Sequence, residues 1–309
     1  MRRSRGAHYW RNLALFTLFT LLLAFVGVGL WLAHWRAMAL VHPGRAHPTR
    51  TPSDLGIGRW ETVGFPSADG LQLEGWFIPP APEGDGATLI YVHGLGSHRG
   101  DLLEEAAMLA GHGYGALLFD LRGHGESEGT VTTLGYAEVE DVRGAVTYLL
   151  ARTQVNPDRI GLVGRSMGGA VAIRAAARVE EIRAVVAECA YASLEENIAE
   201  GMRAFIGLPP FPFAPLVIWF GEREAGVRIR QVRPVDDVAH IAPRAVLFIH
   251  GEWDGAIPVQ NSLRLYQAAR EPKALYVVPN AGHGGFLDVA PAEFERRMVD
   301  FLETYLRGR

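Results

Sequence analysis

The sequence predicts one α/β domain on a mostly parallel sheet of eight strands with helices on both faces, carried behind an N-terminal transmembrane helix. Three observations predict it. Short apolar runs alternate with helical periodicity from residue 57 to the C-terminus, the pattern of strand–crossover–strand units. A glycine-flanked serine stands at a strand-to-helix junction. Asn12 to Ala33 is a 22-residue stretch without one charge.

The elements follow in order. Residues 1–11 are basic, and 12–34 form the expected anchor. Its uncharged core spans roughly 33 Å as a helix, against a hydrocarbon thickness of about 30 Å. Tyr9, Trp10, Trp31 and Trp35 flank it where interfacial aromatics belong. A cleaved signal peptide has a shorter apolar region, and Ala37-Met38-Ala39 is a poor cleavage site. Residues 35–56 are rich in Pro, Gly and His and read as a linker to the domain at 57–309.

Within that domain WETVGF and LQLEGWFI alternate and predict an antiparallel pair joined through Ser67–Gly70. Strands are expected at Thr88–Val92, Ala116–Asp120, Ile160–Val163, Ala184–Ala187, Ala245–Ile249 and Ala274–Val278. Helices are expected over 101–112, 136–153, 168–179, 259–270 and 291–306. Only about 194–242 breaks the rhythm. It lacks a strand pattern and holds the aromatic, proline-rich run Ile206–Gly221, which reads as a cap inserted over the sheet.

Composition narrows the function. The 309 residues are 49% hydrophobic and 21% charged, which is globular rather than disordered. Thirty Lys+Arg against 34 Asp+Glu give a net charge of −4, unlike the basic surface a nucleic-acid partner requires. All seven basic residues among the first fifty are arginines and no acid accompanies them, a modest signal for a cytoplasmic N-terminus and an extracytoplasmic domain. A single cysteine, Cys189, excludes an internal disulfide framework and any multi-cysteine metal site. Lys273 is the only lysine, which disfavours Ser–Lys chemistry.

Gly164-Arg165-Ser166-Met167-Gly168-Gly169 follows the strand IGLV and opens the helix AVAIRAAARV, so Ser166 is the candidate nucleophile on a sharp elbow. Asp254 follows the strand AVLFIH, and His283 lies in the glycine loop after LYVVP. The order Ser, Asp, His at successive strand ends fits a catalytic triad. Met167 N–H is the first oxyanion donor, and Leu95 N–H, between Gly94 and Gly96, is the second. Glu188, at the end of AVVAE, is held in reserve as the acid, and Cys189 beside it reads as a packed core thiol. His93, His98 and His250 also lie near strand ends, without metal-ligand spacing.

These pieces, HGLGSHRGD at 93–101, FDLRGHGESEG at 119–129, GRSMGG at 164–169, HGEWDGAIP at 250–258 and AGHGGF at 281–286, resemble the α/β-hydrolases. They look most like the membrane-anchored BEM46-like and serine-aminopeptidase-type members, over essentially residues 60–307. The resemblance implies Ser166 as nucleophile, Asp254 as acid, His283 as base, Leu95 and Met167 as oxyanion donors, and no cofactor or metal. It also implies that Arg122 and His124 order the loop beneath the site rather than react.

The expected activity is hydrolysis of a small-molecule or lipid carboxylic ester, or a thioester. A peptidase of the same fold is the alternative, with Glu195, Glu196 and Glu200 as carboxylates for a substrate amine. A non-catalytic anchored scaffold is a third reading. Phe205, Phe211, Phe213 and Trp219 of the cap are the candidate substrate-binding residues.

Overall fold

A computed structural model describes residues 3–309, with side chains from His8 onward. The first helix, α1 (Arg3–Val41), is followed by the hairpin β1 (Glu61–Pro66) and β2 (Gln72–Ile78). Parallel units then run β3 (Thr88–Val92), α2 (Leu103–Gly111), β4 (Gly115–Phe119), α3 (Glu138–Leu150), β5 (Ile160–Arg165), α4 (Met167–Ala176) and β6 (Ile182–Glu188). The cap holds α5 (Leu194–Ile206), α6 (Pro210–Ala225) and the short α7 (Pro234–Asp237). The chain returns through β7 (Ala245–Gly251), α8 (Gln260–Ala268), β8 (Lys273–Val278), α9 (Phe286–Val289) and α10 (Pro291–Leu302).

The eight strands form one sheet in the order β1-β2-β4-β3-β5-β6-β7-β8, and β2 alone pairs antiparallel with both of its neighbours. Strands β3 and β4 are buried at every position, as strands covered on both faces must be, which is why they read as continuous apolar runs. β1 lies at an edge, and its alternating burial matches its alternating sequence. Helices α3, α4 and α8 pack one face, and α2 and α10 the other. Because the strands are parallel, the loops after β3, β5, β7 and β8 emerge at one edge, where ligands of such sheets bind.

The first helix does not stop at the end of the apolar stretch. It continues to Val41, and Ala33, Ala37 and Val41, one turn apart along a single face, are buried against the domain. The segment beyond it is strapped down rather than free. Arg45 donates to the carbonyls of Gly125 (2.8 Å) and Ser127 (2.7 Å), and His42 bridges the Thr130 carbonyl and Glu224, each at 2.7 Å. A proline- and glycine-rich composition thus encodes a fixed strap where a loose linker is expected.

Candidate active site

Ser166 sits between β5 and α4 at φ 59°, ψ −121°, a conformation costly for any residue with a side chain. Packing enforces it. A Cβ on Gly168 would lie 2.0 Å from the Val92 carbonyl oxygen, so only glycine lets α4 start this close to β3. The Ser166 N–H donates to the Glu188 carbonyl (2.8 Å), pinning the elbow to β6. Its side chain faces the sheet edge at the first turn of α4, where unpaired N–H groups favour negative charge.

His283 and Asp254 meet from separate loops. His283 Nδ1 lies 2.7 Å from Asp254 Oδ2, and the other carboxylate oxygen accepts from the N–H groups of Ala256 (2.8 Å) and Ile257 (2.9 Å). Trp253 N–H donates to the Ala281 carbonyl (2.9 Å), tying the acid loop to the histidine loop. Burial opposes ionisation of Asp254. Hydrogen bonds from His250, His283 and Ile257 outweigh it and hold the carboxyl well below the usual carboxylate range. Ser166 and His283 line one cavity, with no hydrogen bond between them among the described residues.

His250 is a second histidine on the same acid. It is fully buried at the end of β7, with Nε2 2.8 Å from the Ile257 carbonyl and 3.2 Å from Asp254 Oδ2. A carbonyl only accepts, so Nε2 carries the proton, and Nδ1 accepts from the Ser262 hydroxyl (2.7 Å). Sequence reasoning weighed His250 only as a metal ligand and missed this role. Its spacing of four from Asp254, across the turn after a strand, was the available signal. The donor atoms of Cys189, His250 and Asp254 do lie within 4.8 Å of one another. Protein hydrogen bonds already engage the histidine and the acid, and burial followed by the Asp254 charge pushes the thiol pKa up, so the sulfur stays a neutral thiol.

Leu95, in the loop after β3, and Met167, the first residue of α4, line the same cavity as Ser166. A Cβ on Gly94 would lie 3.3 Å from Ser166 Cβ, so the loop runs directly against Ser166. Two buried histidines hold it. His124 Nε2 accepts from Gly96 N–H (3.0 Å) while its Nδ1 donates to the Arg122 carbonyl (2.9 Å). His93 Nε2 accepts from Leu121 N–H (3.0 Å) while its Nδ1 donates to the Gly94 carbonyl (2.7 Å). Both rings are therefore neutral, and burial, together with His124, pushes His93 down to about 4. Arg122 bonds Asp141 and Asp69, fastening the loop after β4 to α3 and to the β1–β2 turn. Arg122 and His124 thus lie behind the site, in bonds that shape its loops.

Glu188 lies elsewhere. Its carboxylate is fully buried and accepts from Arg165 Nε (3.0 Å), and Arg165 also meets Glu105. The acid beside His283 is Asp254. Among the cap aromatics, Phe205 lines the cavity, whereas Phe211, Phe213 and Trp219 lie outside it. Phe211 points to the exterior, Phe213 packs beside α1, and Trp219 borders a separate recess. The cavity, of about 250 Å³, is completed by two residues no sequence argument had placed there, Arg36 and Leu40 of α1. The small and apolar Ala33, Ala37 and Val41 at helical spacing, continuing past the apolar stretch, were the legible sign that this helix docks.

A family model described as the prolyl oligopeptidase family matches residues 101–309. The uncharacterized protein YqkD of Bacillus subtilis is 31% identical over 242 residues, covering 78% of each chain. The uncharacterized protein YfhR of Escherichia coli K12 is 32% identical over 253 residues, covering 80% of this chain and 81% of its own. Among solved structures, the Pyrococcus furiosus esterase Pf2001 superposes with a TM-score of 0.72 at 29% identity. That match covers 86% of this chain and 98% of the esterase.

Proposed function

The chain belongs to the prolyl oligopeptidase family and is a serine hydrolase of the α/β-hydrolase fold acting on a small-molecule substrate; from that premise we propose that it is a membrane-anchored carboxylic-ester hydrolase working through Ser166, His283 and Asp254. The observation that carries the reading is the 2.7 Å Asp254–His283 bond, with His283 opening onto the cavity that also holds Ser166. Asp254 keeps the proton on His283 Nδ1, leaving Nε2 free to take the Ser166 proton as Oγ attacks the carbonyl carbon. The N–H groups of Leu95 and Met167 receive the charge that develops on the carbonyl oxygen. The C–O bond then breaks, and His283 protonates the departing alcohol. Water, deprotonated by the same nitrogen, releases the acid from the acyl-serine.

The lining favours an ester over an amino-terminal peptide. Among the described residues no carboxylate side chain borders the cavity. Glu195, Glu196 and Glu200 are directed to Arg230, Arg264 and Asn261. A substrate amine would find no carboxylate partner there. The family match favours a second reading, a serine peptidase of the same fold.

α1 is long and apolar enough to cross a membrane. The arginines before it support a cytoplasmic N-terminus and an extracytoplasmic domain, and protease protection in intact cells tests that orientation. The activity test uses a fluorophosphonate probe, p-nitrophenyl esters of rising chain length and a peptidyl anilide. Labelling and ester turnover lost in Ser166→Ala establish the reading. Preferential anilide cleavage replaces it with the peptidase, and a folded wild type that neither labels nor turns over leaves the scaffold.

A further inference from the structure

The cap does not sit clear of the membrane helix. It runs beside it. A Cβ on Gly29 would lie 3.4 Å from the Phe213 ring, His34 meets Phe220 edge-on at 5.1 Å, and Val41 approaches Gly221. The start of α6 is therefore level with Gly29, inside the apolar stretch. Five residues of helix place that level roughly 8 Å below residue 34, the depth at which interfacial helices bury their apolar faces. At this corner the chain bends by 117° between α5 and α6, and Phe205 and Phe211 are 60% and 80% exposed. Such an apolar surface is costly in water and matched to acyl chains.

The same corner borders the reaction site. Phe205 faces outward and also lines the cavity over Ser166, with Ile198 and Met202 of the same helix behind it. α1 also contributes to the lining, through Leu40 and Arg36. Arg36 is half-buried, makes no ion pair or side-chain hydrogen bond among the described residues, and is the one fixed charge in a lining without carboxylates. A cation held there unpaired is set to receive an anion.

We propose that the α5–α6 corner is immersed in the bilayer beside α1, and that the cavity takes an anionic lipid ester directly from the leaflet. The acyl chain enters past Phe205, and the phosphate or carboxylate of the headgroup meets Arg36. This inference rests on the anchored ester-hydrolase reading and names its substrate class.

The test uses the full-length chain in phosphatidylcholine nanodiscs. Three esters share one acyl chain: a neutral monoacylglycerol, its 3-phosphate and its hemisuccinate. p-Nitrophenyl butyrate is the soluble reference. Arg36→Gln is expected to lower the anionic-to-neutral ratio of kcat/KM about tenfold, with Arg36→Lys recovering most of it. A larger loss on the phosphate assigns a phosphate headgroup, and a larger loss on the hemisuccinate a carboxylate. Phe211→Asp, at an exposed position, is expected to lower lipid-ester turnover at least fivefold relative to the soluble ester. An unchanged ratio in Arg36→Gln overturns the headgroup assignment, and an unchanged ratio in Phe211→Asp overturns entry from the bilayer. Failure of the wild type on all four esters, with no fluorophosphonate labelling, overturns the ester-hydrolase reading beneath both.

Discussion

Asp254→Asn separates the orientation of His283 from every other contact in the site. In the structure one carboxylate oxygen is fixed by Ala256 and Ile257 N–H at 2.8 and 2.9 Å, while the other accepts from His283 at 2.7 Å. Asparagine keeps its single oxygen on the backbone pair, because only an oxygen accepts there, so its NH₂ turns toward the histidines. An NH₂ cannot accept from Nδ1–H. His283 must then carry its proton on Nε2, the atom left to face Ser166, and the base is lost. In triads of this geometry the wrong tautomer costs about 10⁴ in kcat, or about 5 kcal/mol of transition-state stabilisation. Stability changes far less, because the backbone anchor survives and one charge-assisted bond is worth about 1.5–3 kcal/mol. The assay is kcat on p-nitrophenyl butyrate, with fluorophosphonate labelling rates and a urea melt in parallel. A folded variant keeping more than a tenth of wild-type kcat would refute the assignment of Asp254 as the orienting acid.

Other consequences follow from the loops that frame Ser166. His124→Phe keeps the ring but removes the acceptor for Gly96 N–H; kcat should fall about 10²-fold, the scale of one misplaced oxyanion donor, and a change confined to KM would contradict it. Gly168→Ala forces a methyl group into the Val92 carbonyl and should cost about 3 kcal/mol by thermal melt; an unchanged Tm would count against the close approach of α4 to β3. His93 carries a depressed pKa, so below its unfolded value of about 6.5 the unfolded chain takes up a proton that the folded chain refuses until about 4. Stability from this site is therefore whole above about pH 6.5 and lost as pH falls toward 4, about 3 kcal/mol across the window. Urea midpoints against pH should flatten over that range in His93→Gln, and an identical slope would remove His93 as the source.

How much of the molecule was readable in its sequence depends on the range of the interactions. The strand from Thr88 to Val92 and the helix after Ser166 were legible because burial on both faces demands an unbroken apolar run and a tight elbow demands glycines at fixed offsets. Those are constraints between near neighbours, written in residue order. The positions of Ser166, Asp254 and His283 were legible for a related reason: each follows a strand, and parallel strands deliver their loops to one edge.

What only the tertiary structure decided is where distant side chains find partners. His42 reaches Glu224, 182 residues away, and turns an expected linker into a strap. Arg45 bonds carbonyls some eighty residues on. His250 joins Asp254 because a turn folds back on its strand, and Arg36 reaches the cavity because α1 lies along α6. Phe211 and Phe205 have the same hydropathy and lie six residues apart, yet one points to the exterior and the other lines the cavity. Hydropathy along the chain fixes which residues avoid water and with what period. The packing of helices against one another fixes which surface each of them finds, and that choice depends on shape and long-range contact, which residue order alone does not contain.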